Sequence, residues 1–205
     1  KYGGPKTAEM LDGMFAFVVF EEDVKTGKTK CFAARDPVGI KPLYIGRTKC
    51  SNSSDDAAAY VFSSELKALV GHADPSTVFA IPPGHHWTPE DGLTCYYNPD
   101  WLRDENYAPW EDPSHTVTDD EIREAFTKAV QKRMMADVDY GFFLSGGIDS
   151  CVVSHDLLPL WRAERVALGD DRPIPTYTVG MENSPDVMAA RAMVKELGGD
   201  KYVEH

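Results

Sequence analysis

The sequence predicts an α+β half built on antiparallel strands, followed by an α/β half built on a parallel sheet. Three observations carry this reading. Residues 14–97 hold short apolar runs of strand length separated by turn residues. From Thr118 onward the apolar spacing becomes helical and alternates with strand-like runs. Between them, Asn98 to His115 gathers Pro99, Pro109 and Pro113 among charged residues, with Trp101 and Trp110. That stretch reads as a linker whose tryptophans pack on a domain surface. The expected organisation is residues 1–98, a linker over 99–115, and residues 116–205.

In chain order, Met14 to Phe20 is apolar and aromatic, Thr26-Gly27-Lys28 is a hairpin turn, and Thr29 to Ala34 is the returning strand. Leu43-Tyr44-Ile45 and Tyr60-Val61-Phe62 read as two more strands, with a mobile loop over Cys50 to Ala58. Ser64 to Val70 reads as a short helix with Leu66, Leu69 and Val70 inward, closed by Gly71. After the Pro82-Pro83-Gly84 turn, His85-His86-Trp87 and Thr94 to Tyr97 form a late strand pair. In the second half, Thr118 and Glu121 make a capping box, and Ile122, Ala125, Phe126, Ala129 and Val130 form one apolar face. A strand (Tyr140–Leu144), a loop, a helix from Asp149 to Trp161 and a strand (Thr176–Val179) follow. A last helix has Ser184 as its cap, Pro185 at its first position and Gly198-Gly199 at its end. Tyr202 to His205 reads as an unfinished strand.

Bulk properties exclude several function classes. The 205 residues are 42% hydrophobic and 26% charged, which suits a packed core. A net charge of −12 argues against a nucleic-acid footprint. No run is long or apolar enough for a membrane span, and no signal peptide is visible. Cys31, Cys50, Cys95 and Cys151 show neither C-x-x-C nor zinc spacing, so free thiols in a reducing, cytoplasmic setting are expected.

The chemistry concentrates in Ser145-Gly146-Gly147-Ile148-Asp149-Ser150, behind the apolar run Tyr140 to Leu144. Strand, Gly-Gly turn and helix together point backbone N–H groups and the positive end of a helix at one spot. Glycines let backbone approach a ligand, Ser145 and Ser150 offer hydroxyl donors to an anion, and Asp149 can carry a metal ion bridging phosphate oxygens. No lysine follows a G-x-x-x-x-G spacing, so this is not a Walker loop. The order is similar to the PP-loop of the ATP pyrophosphatases. Such enzymes cleave ATP between its α- and β-phosphates, adenylate a carboxyl or carbonyl oxygen, and let a nucleophile displace AMP.

Taken in order, further runs extend the resemblance. They are Leu11-Asp12-Gly13-Met14-Phe15-Ala16-Phe17, Ala34-Arg35-Asp36-Pro37-Val38-Gly39-Ile40-Lys41-Pro42-Leu43-Tyr44 and Phe62-Ser63-Ser64-Glu65-Leu66-Lys67-Ala68-Leu69. Pro82-Pro83-Gly84-His85, Asp139-Tyr140-Gly141, Tyr177-Thr178-Val179-Gly180-Met181 and Ser184-Pro185-Asp186 follow. The whole resembles glutamine-hydrolysing asparagine synthetase, a two-domain amidotransferase. The resemblance implies the later part of an Ntn-type glutaminase domain, then the first part of a PP-loop ATP pyrophosphatase domain, each incomplete. It implies ATP and Mg2+ as cofactors, glutamine, aspartate and ATP as substrates, and a homodimer. The reaction would run through β-aspartyl-AMP.

Residue by residue, the resemblance puts Leu144, Val179 and Gly180 at the nucleotide by backbone and packing. It puts Ser145, Gly146, Gly147 and Ser150 at the pyrophosphate, and Asp149 at the metal. On the residues alone, Leu144 and Val179 read equally as core strand positions, and Asp149 as an acid favoured in a helix first turn. The family's terminal cysteine nucleophile and glutamine-binding residues would lie upstream of Lys1, and its second pyrophosphate motif beyond His205. No catalytic residue is therefore expected within the chain, which alone should neither hydrolyse glutamine nor make asparagine.

Other residues read as structural. Arg35 and Asp36 suit an ion pair or turn, and Glu65 with Lys67 likewise. His85 and His86 face opposite sides of a strand and make a poor metal pair. Cys151 reads as a small packed residue, and Asp55, Asp56, Asp119, Asp120, Asp170 and Asp171 as solvated surface. Two other functions fit the same motifs: a related synthetase such as a β-lactam synthetase-like enzyme, and a non-catalytic ATP-binding module.

Overall fold

Asp23 turns the first hairpin. Its carboxylate accepts from the Lys25 and Thr26 amides, and its own amide donates to the Lys28 carbonyl at 2.9 Å. The computed structural model describes residues 3–48, 59–104, 108, 116–199 and 203–204. The chain divides into two units, Lys1–Ala108 and Pro109–His205.

In the first unit, β1 (Ala16–Glu22), β2 (Thr29–Arg35), β6 (His85–Thr88) and β7 (Gly92–Cys95) form an antiparallel sheet in the order β1-β2-β6-β7. A second antiparallel sheet, β4-β3-β5, is built from β3 (Tyr44–Arg47), β4 (Tyr60–Ser63) and β5 (Phe79–Ala80). Alternation along β2 sends Cys31 and Ala33 into the core that the sheets share with Leu43, Ile45, Ile81 and Trp87. Phe32 lies on the other face, against His86 and Phe17. A seven-residue helix, α1 (Gly4–Met10), buries Ala8; no periodicity announced it.

The expected pair of Arg35 and Asp36 is a turn and not an ion pair. Arg35 donates to three carbonyls, Nε to Lys41 at 2.8 Å, Nη1 to Ile81 at 2.8 Å and Nη2 to Gly39 at 2.7 Å. Asp36, 1% exposed, accepts from the Val38, Ile40 and Lys41 amides. Gly39 has φ 72°, the left-handed conformation this turn requires. Tyr96 closes the cluster by donating to the Arg35 carbonyl at 2.6 Å, and burial pushes its phenol up to about 12.

Several other expectations shift. The Ser64–Val70 helix is a 3-10 turn over Leu66–Leu69 that buries Leu69, with Leu66 and Val70 exposed. Glu65 and Lys67 pair on the surface. The last strand of this unit ends at Cys95, short of the expected Tyr97. His86 is buried and His85 points the other way, bonding the Pro83 carbonyl. Cys31, Cys95 and Cys151 are free thiols, and burial pushes Cys31 up. Within the expected linker, Asp100–Arg103 forms α2 and Trp101 is exposed, not packed. Trp110, Cys50 and the loop to Ala58 lie outside the described residues.

In the second unit, β8 (Phe142–Phe143), β9 (Ile174–Tyr177) and β10 (Val203–Glu204) form a parallel sheet in the order β10-β9-β8. α3 (Asp119–Gln131), α4 (Ile148–Ala167) and α5 (Pro185–Glu196) share a core with it around Leu144, Leu157, Leu158, Trp161, Ile174 and Val194. The capping box of Thr118 and Glu121 forms, and Ser184 caps α5 with Pro185 in its first turn. The apolar face of α3 is only half used: Val130 is buried and Phe126 partly, while Ile122 is exposed. α4 runs six residues past Trp161, through Pro159. The other sheet face carries exposed Phe143 and Tyr177, ring centroids 6.1 Å apart. Asp170 is not solvated surface; with Asp139, Arg165 and Arg172 it forms an ion network at the amino end of the strands. No helix among the described residues is long and apolar enough to cross a membrane.

Candidate functional site

The loop between β8 and α4 lies at the carboxyl end of the parallel strands, where open α/β sheets hold their ligands. Leu144 ends β8 in the core with its side chain fully buried. Only its backbone reaches the edge: its amide donates to the Tyr177 carbonyl at 2.9 Å, and its carbonyl accepts from Thr178 Oγ1 at 2.5 Å. The Leu144 side chain lies in a core cluster with residues of α4 and α5.

Ser145 and Ser150 meet across the loop. Ser145 Oγ donates to Ser150 Oγ at 3.0 Å, Ser150 Oγ donates to the Gly147 carbonyl at 2.9 Å, and the Gly147 amide donates to Ser145 Oγ at 3.4 Å. This ring holds both hydroxyls at the loop and uses their protons within it. An anion would have to draw those protons outward.

Gly146 and Gly147 play different parts. Gly146 has φ 76° and stands against α5, where a Cβ would come 2.5 Å from the Asp186 carbonyl. Gly147 is the N-cap of α4 and provides no side-chain cap. A Cβ at Gly147 would meet only Ser145 Oγ, at 3.5 Å, so its outer face is open. A 20-residue helix thus presents uncapped amides to open space. That cradle fits a polyphosphate.

Asp149 is exposed in the first turn of α4. Among the described residues no three His, Cys, Asp or Glu side chains gather as a metal site. One carboxylate beside a phosphate cradle suits Mg2+, which keeps several waters and binds through one or two carboxylates plus substrate phosphates. Cys151, half-buried one turn into the helix, donates its amide to the Gly147 carbonyl at 3.1 Å.

Val179 and Gly180 lie beyond β9, which ends at Tyr177 and not at Val179 as expected. The strand begins at Ile174 and runs through Pro175. Val179 is 90% exposed, so it is not a core strand residue. Gly180 fits against α5, where a Cβ would stand 2.8 Å from Val187 Cγ2. A hollow of about 480 Å3 is lined by Phe143, Thr176, Tyr177, Thr178 and Val179. Sequence reasoning missed Thr178 and the close approach of Asp186. A hydroxyl residue at the end of a strand that precedes a glycine was the available signal for Thr178.

Residues 121–205, which hold this loop, match the family model for asparagine synthase, and residues 1–82 match that for a glutamine amidotransferase domain. A Schizosaccharomyces pombe protein named a probable glutamine-hydrolysing asparagine synthetase is 38% identical, over 95% of this chain and 34% of its own length. The chain belongs to the glutamine-hydrolysing asparagine synthetase family. Among other members of that family, asparagine synthetase 1 of Saccharomyces cerevisiae is 36% identical over 92% of this chain and 34% of its own length. Asparagine synthetase 2 of Arabidopsis thaliana is 37% identical over 95% of this chain and 31% of its own length. The chain thus spans about a third of the length of the curated synthetases it matches.

Proposed function

We propose that the chain supplies the nucleotide-binding part of an enzyme that makes asparagine from aspartate, using ATP and ammonia released from glutamine. The observation that carries this is the uncapped amino terminus of α4 behind Gly147, open at the carboxyl end of a parallel sheet. In this reading the α4 amides and Gly147 hold the pyrophosphate, with Ser145, Gly146 and Ser150 shaping the loop. Asp149 holds Mg2+, which offsets phosphate charge while aspartate is adenylated. Backbone groups of Leu144, Val179 and Gly180 contact the nucleoside. No residue of the chain is assigned a covalent role.

Residues 1–98 are read as glutaminase of Ntn type, 99–115 as linker and 116–205 as PP-loop ATP pyrophosphatase. The free thiols support a reducing, cytoplasmic setting. By family resemblance the assembly is a homodimer.

The test is aspartate-dependent exchange of labelled pyrophosphate into ATP by the protein expressed from its complete coding sequence. Exchange with aspartate alone among carboxylates supports the reading. Exchange with another carboxylate points to a related synthetase of the β-lactam type. ATP binding without exchange points to a binding module.

A further inference from the structure

β8 and β9 pair with Phe142 opposite Thr176 and Phe143 opposite Tyr177, and the Leu144 amide adds one more rung to the Tyr177 carbonyl. In a parallel ladder the next rung would run from the Val179 amide back to the Leu144 carbonyl. That rung is not formed. The Thr178 hydroxyl takes the Leu144 carbonyl instead, at 2.5 Å. The strand pairing therefore stops at the Leu144 amide, and among the described residues the Val179 amide at the carboxyl edge has no acceptor. It lies beside the hollow of about 480 Å3 lined by Phe143, Tyr177 and Val179 itself.

We propose that Thr178 is a positioning residue for base recognition: by satisfying the Leu144 carbonyl, its hydroxyl frees the Val179 amide to donate to a ring nitrogen of the purine. The inference rests on the nucleotide reading above and adds to it the device that keeps one backbone donor available. A buried carbonyl without a partner is costly. Without the hydroxyl, the carbonyl would recruit the Val179 amide, the ladder would zip one residue further, and the base would lose its donor. Serine at 178 keeps the hydroxyl. Valine has the shape of threonine without it.

The experiment is calorimetric titration of the protein expressed from its complete coding sequence with Mg-ATP and, separately, with Mg-tripolyphosphate, for wild type, Thr178→Val and Thr178→Ser. Thr178→Val is expected to weaken ATP binding about tenfold, the worth of one hydrogen bond, and to leave tripolyphosphate binding unchanged. Thr178→Ser should bind ATP within about twofold of wild type. Equal ATP affinity in Thr178→Val overturns the proposal and leaves the nucleotide reading standing. So does an equal loss of both ligands, which would mark a merely structural role. Failure of the wild type to bind either ligand overturns the nucleotide reading, and the proposal with it. Should Thr178→Val not fold, amide exchange in the wild type decides: the Val179 amide must slow on adding ATP and not on adding tripolyphosphate. No slowing overturns the proposal.

Discussion

Gly146 abuts the carbonyl oxygen of Asp186: a Cβ at position 146 would stand 2.5 Å from that oxygen and 2.8 Å from Ala189 Cβ. The first turn of α5 therefore sets the path of the loop. Gly147 has φ −73° and no such neighbour. The fold requires glycine at 146, and nothing around 147 requires it there.

Alanine at the two positions should separate these roles. Gly146→Ala combines a clash with a positive φ and is expected to cost about 2–4 kcal/mol in urea denaturation. Gly147→Ala should change stability by less than about 1 kcal/mol. It should still weaken ATP binding, because its methyl enters the cradle. Unchanged ATP affinity in Gly147→Ala would sink the assignment of the cradle.

Asp149 and Cys151 share the first turns of α4 but not a role. Asp149→Ala is expected to abolish the enhancement of ATP binding by Mg2+, with no loss of fold. Cys151→Ala should leave both intact. Titrations with ATP in Mg2+ and in EDTA check this, and a normal Mg2+ response in Asp149→Ala refutes the metal-ligand role.

Acid should loosen the first unit at Asp36. Burial pushes this carboxyl up, but amide donation from Lys41, Ile40, Gly39 and Val38 pulls it net below its usual value of 3.8. The folded state thus binds its proton less readily than the unfolded chain. The stabilisation is full above about pH 4 and is lost as pH falls through the lower folded value. Asp36→Ala is expected to cost about 2–4 kcal/mol at neutral pH, because three part-buried amides lose their acceptor. Urea midpoints at neutral pH and below pH 4 should also show a shallower acid loss in the variant.

His86 gives a second, higher window. Its ring lies 5.3 Å from Phe32 and 6.4 Å from Tyr96, and Nδ1 has no hydrogen-bond partner among the described residues. Burial holds the imidazole below 6.5; Asp91 and Glu9 oppose this weakly, and His85 adds to it. Between the folded value and 6.5 the unfolded chain binds the extra proton. Stability is therefore full above about pH 6.5, declines as pH falls, and levels off below the folded value. Thermal midpoints measured downward from pH 8 should fall in wild type and stay level in His86→Phe. An equal slope in both would place the titration elsewhere.

Much of this was legible in the chain. The capping box at Thr118, the Ser184 cap with Pro185, and the Gly-Gly loop behind an apolar strand are local signals that need no tertiary partner. What escaped depends on contacts distant in sequence. β9 lies two residues earlier than the expected strand and runs through Pro175, with pairing on both sides. The apolar face read on α3 is only partly covered, and Ile122 on it is exposed. The part of Thr178 appears only when two strand ends are set side by side.

The Arg35 cluster bears on how the first unit folds in time. Two of its bonds join residues 46 apart, to Ile81, and 61 apart, from Tyr96. Loops of that length must close before any of these bonds forms, and closure entropy is spent ahead of the return. The cluster therefore acts as a latch on a sheet already assembled. Its strength governs how slowly the unit opens, and it does little to hasten the unit's formation.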